Sequence, residues 1–148
     1  MKNQKSILFH RASDNKPIGF DPEIIIGAIK KTSFGDFSDE LDDDYTNIII
    51  DTHESEEVFY VNESVEKVYD MLKNVKNDKC GFIKLHEAED NTVCVFNYTY
   101  MNTYSYDEDD GYTSIFLCES NTDVNYLDVN ESPEKIHQMI MADMENSK

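Results

Sequence analysis

Arginine is almost missing from this chain: Arg11 stands alone among 148 residues. Arginine is the preferred side chain for bidentate contacts to phosphate and base edges, so direct nucleic-acid binding is excluded as a reading. An anionic membrane surface would repel the chain for the same reason. Cysteine is scarce too. Cys80, Cys94 and Cys118 form an odd set with no CxxC pair, which argues against a disulfide framework and for a reducing cytosol. The 5 glycines include no GxGxxG or GxxxxGK, so no phosphate-cradling loop is encoded. Residues 1–20 hold no apolar run of the signal-peptide kind, and no stretch reaches transmembrane length. These absences give the expectation of a cytoplasmic protein.

Acid is what the chain has in excess. It carries 31 Asp and Glu against 13 Lys and Arg, a formal net charge of −18. A small domain typically needs a net charge of only about 2–8 in magnitude for solubility. The surplus costs stability through self-repulsion, and its natural complement is a basic protein partner. Hydrophobic content of 39% still suffices for a core, and Tyr and Phe supply much of it.

The chain also repeats itself. "VNESVEKVYDML" from Val61 returns as "VNESPEKIHQMI" from Val129, and the preceding "YTNIII" from Tyr45 returns as "YTSIFL" from Tyr112. Upstream, His10, Ala12, Asp14, Asn15 and Phe20 fall on His86, Ala88, Asp90, Asn91 and Phe96, always 76 apart. The offset then drops to 67, so the first repeat carries about nine extra residues within "SFGDFSDELDDD". Self-similarity at a fixed period marks repeated supersecondary units. The expected architecture is α+β: two tandem β-rich modules of about four strands and one C-terminal helix each, packed with pseudo-two-fold symmetry. The first spans 1–78 with the acidic insertion, and the second spans 79–148.

Within each repeat a short strand (Ile7–His10, Phe82–His86) meets an Asp-Asn turn and a second strand (Ile18–Phe20, Val93–Phe96). Asp and Asn suit such a turn because their side chains bond nearby backbone and tolerate positive φ. "PEIIIGAIKK" and "YTYMNTYSY" read as less regular stretches. A hairpin follows, Tyr45–Ile50 with Glu57–Val61 and Tyr112–Cys118 with Val124–Val129. Asn-Glu-Ser then reads as a strand-to-helix junction. Ser64 and Ser132 are placed as N-caps, Pro133 occupies the first helical position, and Glu66 and Glu134 lie in the first turn. Val65, Val68, Tyr69 and Leu72 mark one apolar helix stripe; Ile136, Met139 and Ile140 mark the other.

On these residues each repeat resembles the small flagellar FlbD-like proteins. The matching letters are "FDPEII", "YTNIII" and "VNESVEKV" in the first repeat, and "FNYTYM", "YTSIFL" and "VNESPEKI" in the second. "SDNK" and "EDNT" stand where that family has a Leu-Asn-Gly turn. The resemblance implies a β-rich module and, for function, a regulatory or assembly factor.

Catalytic and metal chemistry find little support. His10 and His86 occupy equivalent places, as duplicated packing or hydrogen-bonding residues would, while His53 and His137 show no HExxH-like spacing. The acidic runs lack the frame of an EF-hand loop. The expectation is a non-enzyme with no cofactor and no metal site. The partner-binding residues are then the two acidic runs that precede the repeated strand. They are Asp36, Asp39, Glu40, Asp42, Asp43 and Asp44 in the first repeat, and Asp107, Glu108, Asp109 and Asp110 in the second. Rows of carboxylates can imitate duplex phosphates, which lie one charge per roughly 1.7 Å of DNA axis. The leading reading is a stoichiometric inhibitor of a basic nucleic-acid-binding protein or nuclease, of the kind that serves phage anti-defence. A FlbD-like regulatory factor and a sponge for a small nucleotide signal are the alternatives. Homo-oligomer formation stays open.

Overall fold

The computed structural model describes residues 3–30, 45–52, 54–117 and 127–146. It is a mixed α+β structure of antiparallel sheets. The order is β1 (Ile7–His10), β2 (Pro17–Phe20), a 3-10 turn, β3 (Ile25–Lys30), β4 (Thr46–Asp51), β5 (Glu56–Val61) and α1 (Val65–Lys73). There follow β6 (Phe82–His86), β7 (Val93–Asn97), a second 3-10 turn, β8 (Met101–Asp107), β9 (Tyr112–Leu117), β10 (Leu127–Val129) and α2 (Pro133–Asn146).

One correction concerns the stretches read as irregular, which are strands. Among the described residues each repeat therefore supplies five strands rather than about four. Ile25–Lys30 is buried along nearly its whole length, and a strand covered on both faces shows no polar alternation to betray it. Its pleat is also broken by a register shift between Ile25 and Gly27, and β8 has the same irregularity between Met101 and Thr103. Asp21 and Asn97 introduce these strands alike, each accepting a backbone N–H two residues on to close the 3-10 turn.

The central sheet has the order β5-β4-β3-β7-β6 and crosses the boundary between the repeats. β3 joins β7 at Gly27↔Phe96 and Ala28↔Val95. A Cβ on Gly27 would overlap the Val95 carbonyl oxygen, so only glycine permits this approach. β1 and β2 form a separate two-stranded sheet, and β10-β9-β8 a three-stranded one.

Alternation along the central strands sorts their apolar residues onto two faces. Ile48, Ile50 and Val95 turn toward Phe9, Phe20 and the α1 residues Val65, Val68 and Leu72. Ile49, Cys94 and Phe96 turn toward Ile115, Leu117, Val129 and Ile136 on the opposite side. One sheet thus separates two cores, one roofed by α1 with the β1–β2 hairpin and the other by β8–β10 with α2. Both helices start where the sequence places them: Ser64 Oγ accepts from the Lys67 N–H and Ser132 Oγ from the Lys135 N–H, each at 3.1 Å. Lys73 and Tyr98 both bind Asp143, tying α2 to α1 and to the 3-10 turn before β8. No helix among the described residues is long and apolar enough to cross a membrane.

Candidate functional site

The acidic turn between β8 and β9 is built from its own backbone. Asp107 Oδ1 accepts from the Asp109 N–H at 2.9 Å and from the Asp110 N–H at 3.4 Å. The Gly111 N–H returns to the Asp107 carbonyl at 2.8 Å, with Gly111 at φ +78°. One carboxylate oxygen of Asp107 therefore shapes the loop, while Glu108, Asp109 and Asp110 are held in solvent. Asp110 accepts from the Tyr112 hydroxyl at 3.1 Å. That bond first, and partial desolvation second, push the phenol up to about 12, so Tyr112 stays protonated beside the carboxylates. Asp36, Asp39, Glu40, Asp42, Asp43 and Asp44 lie outside the described residues, as do His53 and Cys118.

A second concentration of acid, not singled out from the sequence, lies at the tip of the β4–β5 hairpin. Asp51 is registered against Glu56, Ile50 against Glu57, and Glu54 sits in the turn. Glu56 is an exposed residue, yet desolvation of its carboxyl and the neighbouring Asp51 charge both raise its pKa. The legible signal was "DTHESEE" itself, where Asp51, Glu54, Glu56 and Glu57 crowd into one short turn.

Several of the scarce cations are already engaged inside the molecule. Lys5 pairs with Asp21 at 3.1 Å and Glu23 at 2.8 Å, Arg11 pairs with Asp14, and Lys73 pairs with Asp143. The bonds from Lys5 first and Asn77 second hold Glu23 below its ordinary range. Such exposed pairs add little stability, but they remove positive charge from the outer surface.

The repeated histidines face repeated glutamates. His10 Nδ1 lies 2.7 Å from Glu63 Oε2, and His86 Nδ1 lies 2.6 Å from Glu131 Oε2. The other carboxylate oxygen accepts the backbone N–H of the same histidine, at 3.0 Å and 2.9 Å. Desolvation works to raise Glu63, but the two hydrogen bonds from His10 outweigh it and hold the carboxyl low. Each glutamate spends both oxygens on one histidine, so the pairs are clamps that fasten the first hairpin of each repeat to its helix junction. The partners were missed in the sequence although the Glu of each "VNES" was in plain view.

The two described thiols, Cys80 and Cys94, are poor nucleophiles. Burial first, then surrounding carboxylates, push Cys80 up to about 11 and Cys94 further still, so both are protonated at neutral pH. Among the described residues no group of three His, Cys, Asp or Glu side chains could hold a metal ion.

Three of the surface depressions bear on binding. One of about 360 Å³ lies between Lys30, Thr46, Ser64 and Glu66 of the first repeat and Asn91 and Thr92 of the second. A single lysine faces a glutamate there, a poor match for a phosphate group. The other two are counterparts in the repeats, each between the Asn turn and the last strand. Arg11, Ala12, Ile18, Val58, Phe59 and Tyr60 line about 210 Å³; Glu87, Ala88, Glu89, Tyr112, Leu127 and Asp128 line about 390 Å³. The first groove is apolar with one arginine, and the second is acidic. No protein-family model, curated protein or solved structure matches the chain.

Proposed function

We propose that this chain is a non-enzymatic acidic binding protein that occupies the cationic surface of a basic protein partner, in the manner of a nucleic-acid mimic. The observation that carries the reading is the β8–β9 turn, where consecutive carboxylates are presented to solvent on a closed backbone loop. A charge held rigidly on a hairpin loses less entropy on binding than the same charge on a free tail. The net charge of −18 adds a long-range field that steers a basic partner into contact.

The scaffold in this proposal is a duplicated FlbD-like module, 1–78 and 79–148, packed with pseudo-two-fold symmetry. Matching His–Glu clamps, matching Ser caps and matching irregularities in β3 and β8 support it. In the sequence the run Asp36–Asp44 precedes the repeated strand as Asp107–Asp110 does, and in this proposal a partner meets both acidic runs.

The test is capture of basic proteins on the immobilised chain at low salt, followed by elution with duplex DNA. Release by DNA at concentrations that leave ionic strength unchanged is the expected outcome. Release by salt alone, with DNA ineffective, would leave a basic partner but end the mimicry reading. Enzymatic turnover of any captured material would overturn the non-enzymatic assignment.

A further inference from the structure

β5 is an edge strand of the central sheet, and among the described residues only its last part is covered. The Ala12 N–H bonds the Tyr60 carbonyl at 2.9 Å, and the Asn62 N–H bonds the His10 carbonyl at 2.8 Å. Outward-pointing groups recur every second residue along an antiparallel strand. The N–H and C=O of Glu56 and Val58, and the N–H of Tyr60, therefore face outward from β4. Immediately beside them lies the apolar groove of Ile18, Val58 and Phe59, and Val58 is 40% exposed. Beyond it the strand begins with Glu56 and Glu57.

From these observations we infer that β5 receives an extended, lysine- or arginine-bearing segment of the basic partner as an added strand. This rests on the binding reading above and names the site of engagement. The segment takes up the line that Arg11 and Ala12 leave, where Arg11 bridges antiparallel to Val61, so it too runs antiparallel to β5. The residue opposite Phe59 is apolar and lies on the face shared with Ile18, and the next, opposite Val58, is apolar and lies on the other face of the strand. Those that follow, opposite Glu57 and Glu56, are basic. Directly opposed side chains share a face, so each cation lies beside its carboxylate. Main-chain bonds hold such a segment, and its side chains select it. A second copy of the chain is the poorer occupant, since each copy carries a net charge of −18. The corresponding groove of the second repeat has Glu87, Glu89 and Asp128 around it.

The probe is a short synthetic peptide, Ile-Val-Lys-Lys with blocked ends, titrated by calorimetry with amide NMR as the map. Saturable binding with shifts at Glu56, Val58 and Tyr60 is expected. Methylating alternate peptide nitrogens removes main-chain donors without touching charge, and should weaken binding about tenfold or more. Val58→Pro removes an outward N–H at an edge position where proline is tolerated, and should do the same. The methylated peptide keeps the test decisive if that variant fails to fold. Equal binding of both peptides, or shifts confined to the 107–110 turn, would overturn strand addition while leaving the charge-driven reading intact. Binding that is saturable but insensitive to salt would contradict the charge-driven reading and leave the edge site standing. Absence of binding by either peptide overturns the inference.

Discussion

The two repeats use the same residues to hold themselves together and different residues to face the outside. In both, an asparagine in left-handed conformation closes the first turn, Asn15 at φ 61° and Asn91 at φ 60°. The asparagine of the helix junction reaches each one, Asn62 at 2.7 Å and Asn130 at 2.8 Å. Thr46 and Thr113 Oγ1 each donate to the carbonyl of the junction glutamate, Glu63 and Glu131 respectively, at 2.6 Å. Outside this frame the repeats part. Gly27 lets β3 reach β7, whereas Thr103 stands at the corresponding position of β8, and β2 pairs only with β1 among the described residues. The grooves differ in the same way, apolar with Arg11 in one and lined by acids in the other. Retained positions are scaffold, and under the proposed function the divergent ones are where a partner is met.

The comparison breaks most readily at the cores. Phe9 and Leu85 are equivalent and fully buried, so Phe9→Ala should cost about 3–5 kcal/mol and Leu85→Ala about 2–5 kcal/mol. Both losses should appear as one cooperative unfolding transition in denaturant, because the central sheet joins the repeats. Two separate transitions would show that the halves fold independently.

The clamps come next. Glu63→Ala and Glu131→Ala each remove two hydrogen bonds to a part-exposed histidine, at about 0.5–1.5 kcal/mol per bond. Chemical denaturation with each single variant and the pair should give nearly additive losses, as the two clamps share no partner.

Acid should sharpen the first clamp. Because Glu63 is held below its ordinary range, its contribution is present above the unfolded carboxyl value of about 4.3 and is lost as pH falls through the lower folded value. The stability gap between wild type and Glu63→Gln should therefore narrow in that acidic window. A gap unchanged down to complete protonation would show that the carboxylate charge is irrelevant.

The smallest effect belongs to the caps. Ser64→Ala and Ser132→Ala should each cost about 0.5–2 kcal/mol in melting experiments. Peptide or partner binding at a temperature where the variants are folded should not change. Selective loss of binding would place a site where a cap is assigned.

Local chemistry was legible in the sequence and long-range pairing was not. Ser64 and Ser132 cap within a few residues of themselves, and the turn conformation of Asn15 and Asn91 is equally local, so these roles follow from spacing alone. His10 and Glu63 lie 53 positions apart, and His86 and Glu131 45 apart, so only their joint recurrence could have paired them. β3 was hidden because a strand buried on both faces carries no alternation, and its bulge breaks what remains. Its union with β7 depends on a clearance at Gly27 that no periodicity reports. The acidic turn was visible as composition, whereas the edge of β5 needed the sheet order.

The central claim is that fixed carboxylates drive association, and it is tested most directly by replacing Asp107, Glu108, Asp109 and Asp110 with Asn, Gln, Asn and Asn. The amide that takes the place of the Asp107 carboxylate keeps an acceptor oxygen for the turn, so the loop should persist in the melting control. Association with the DNA-eluted basic partner is measured by stopped flow from about 0.1 M to about 1 M salt, over which the screening length falls from about 10 Å to about 3 Å. The account predicts slower association for the variant and a shallower dependence on salt. Wild-type rates and a wild-type salt slope would contradict it.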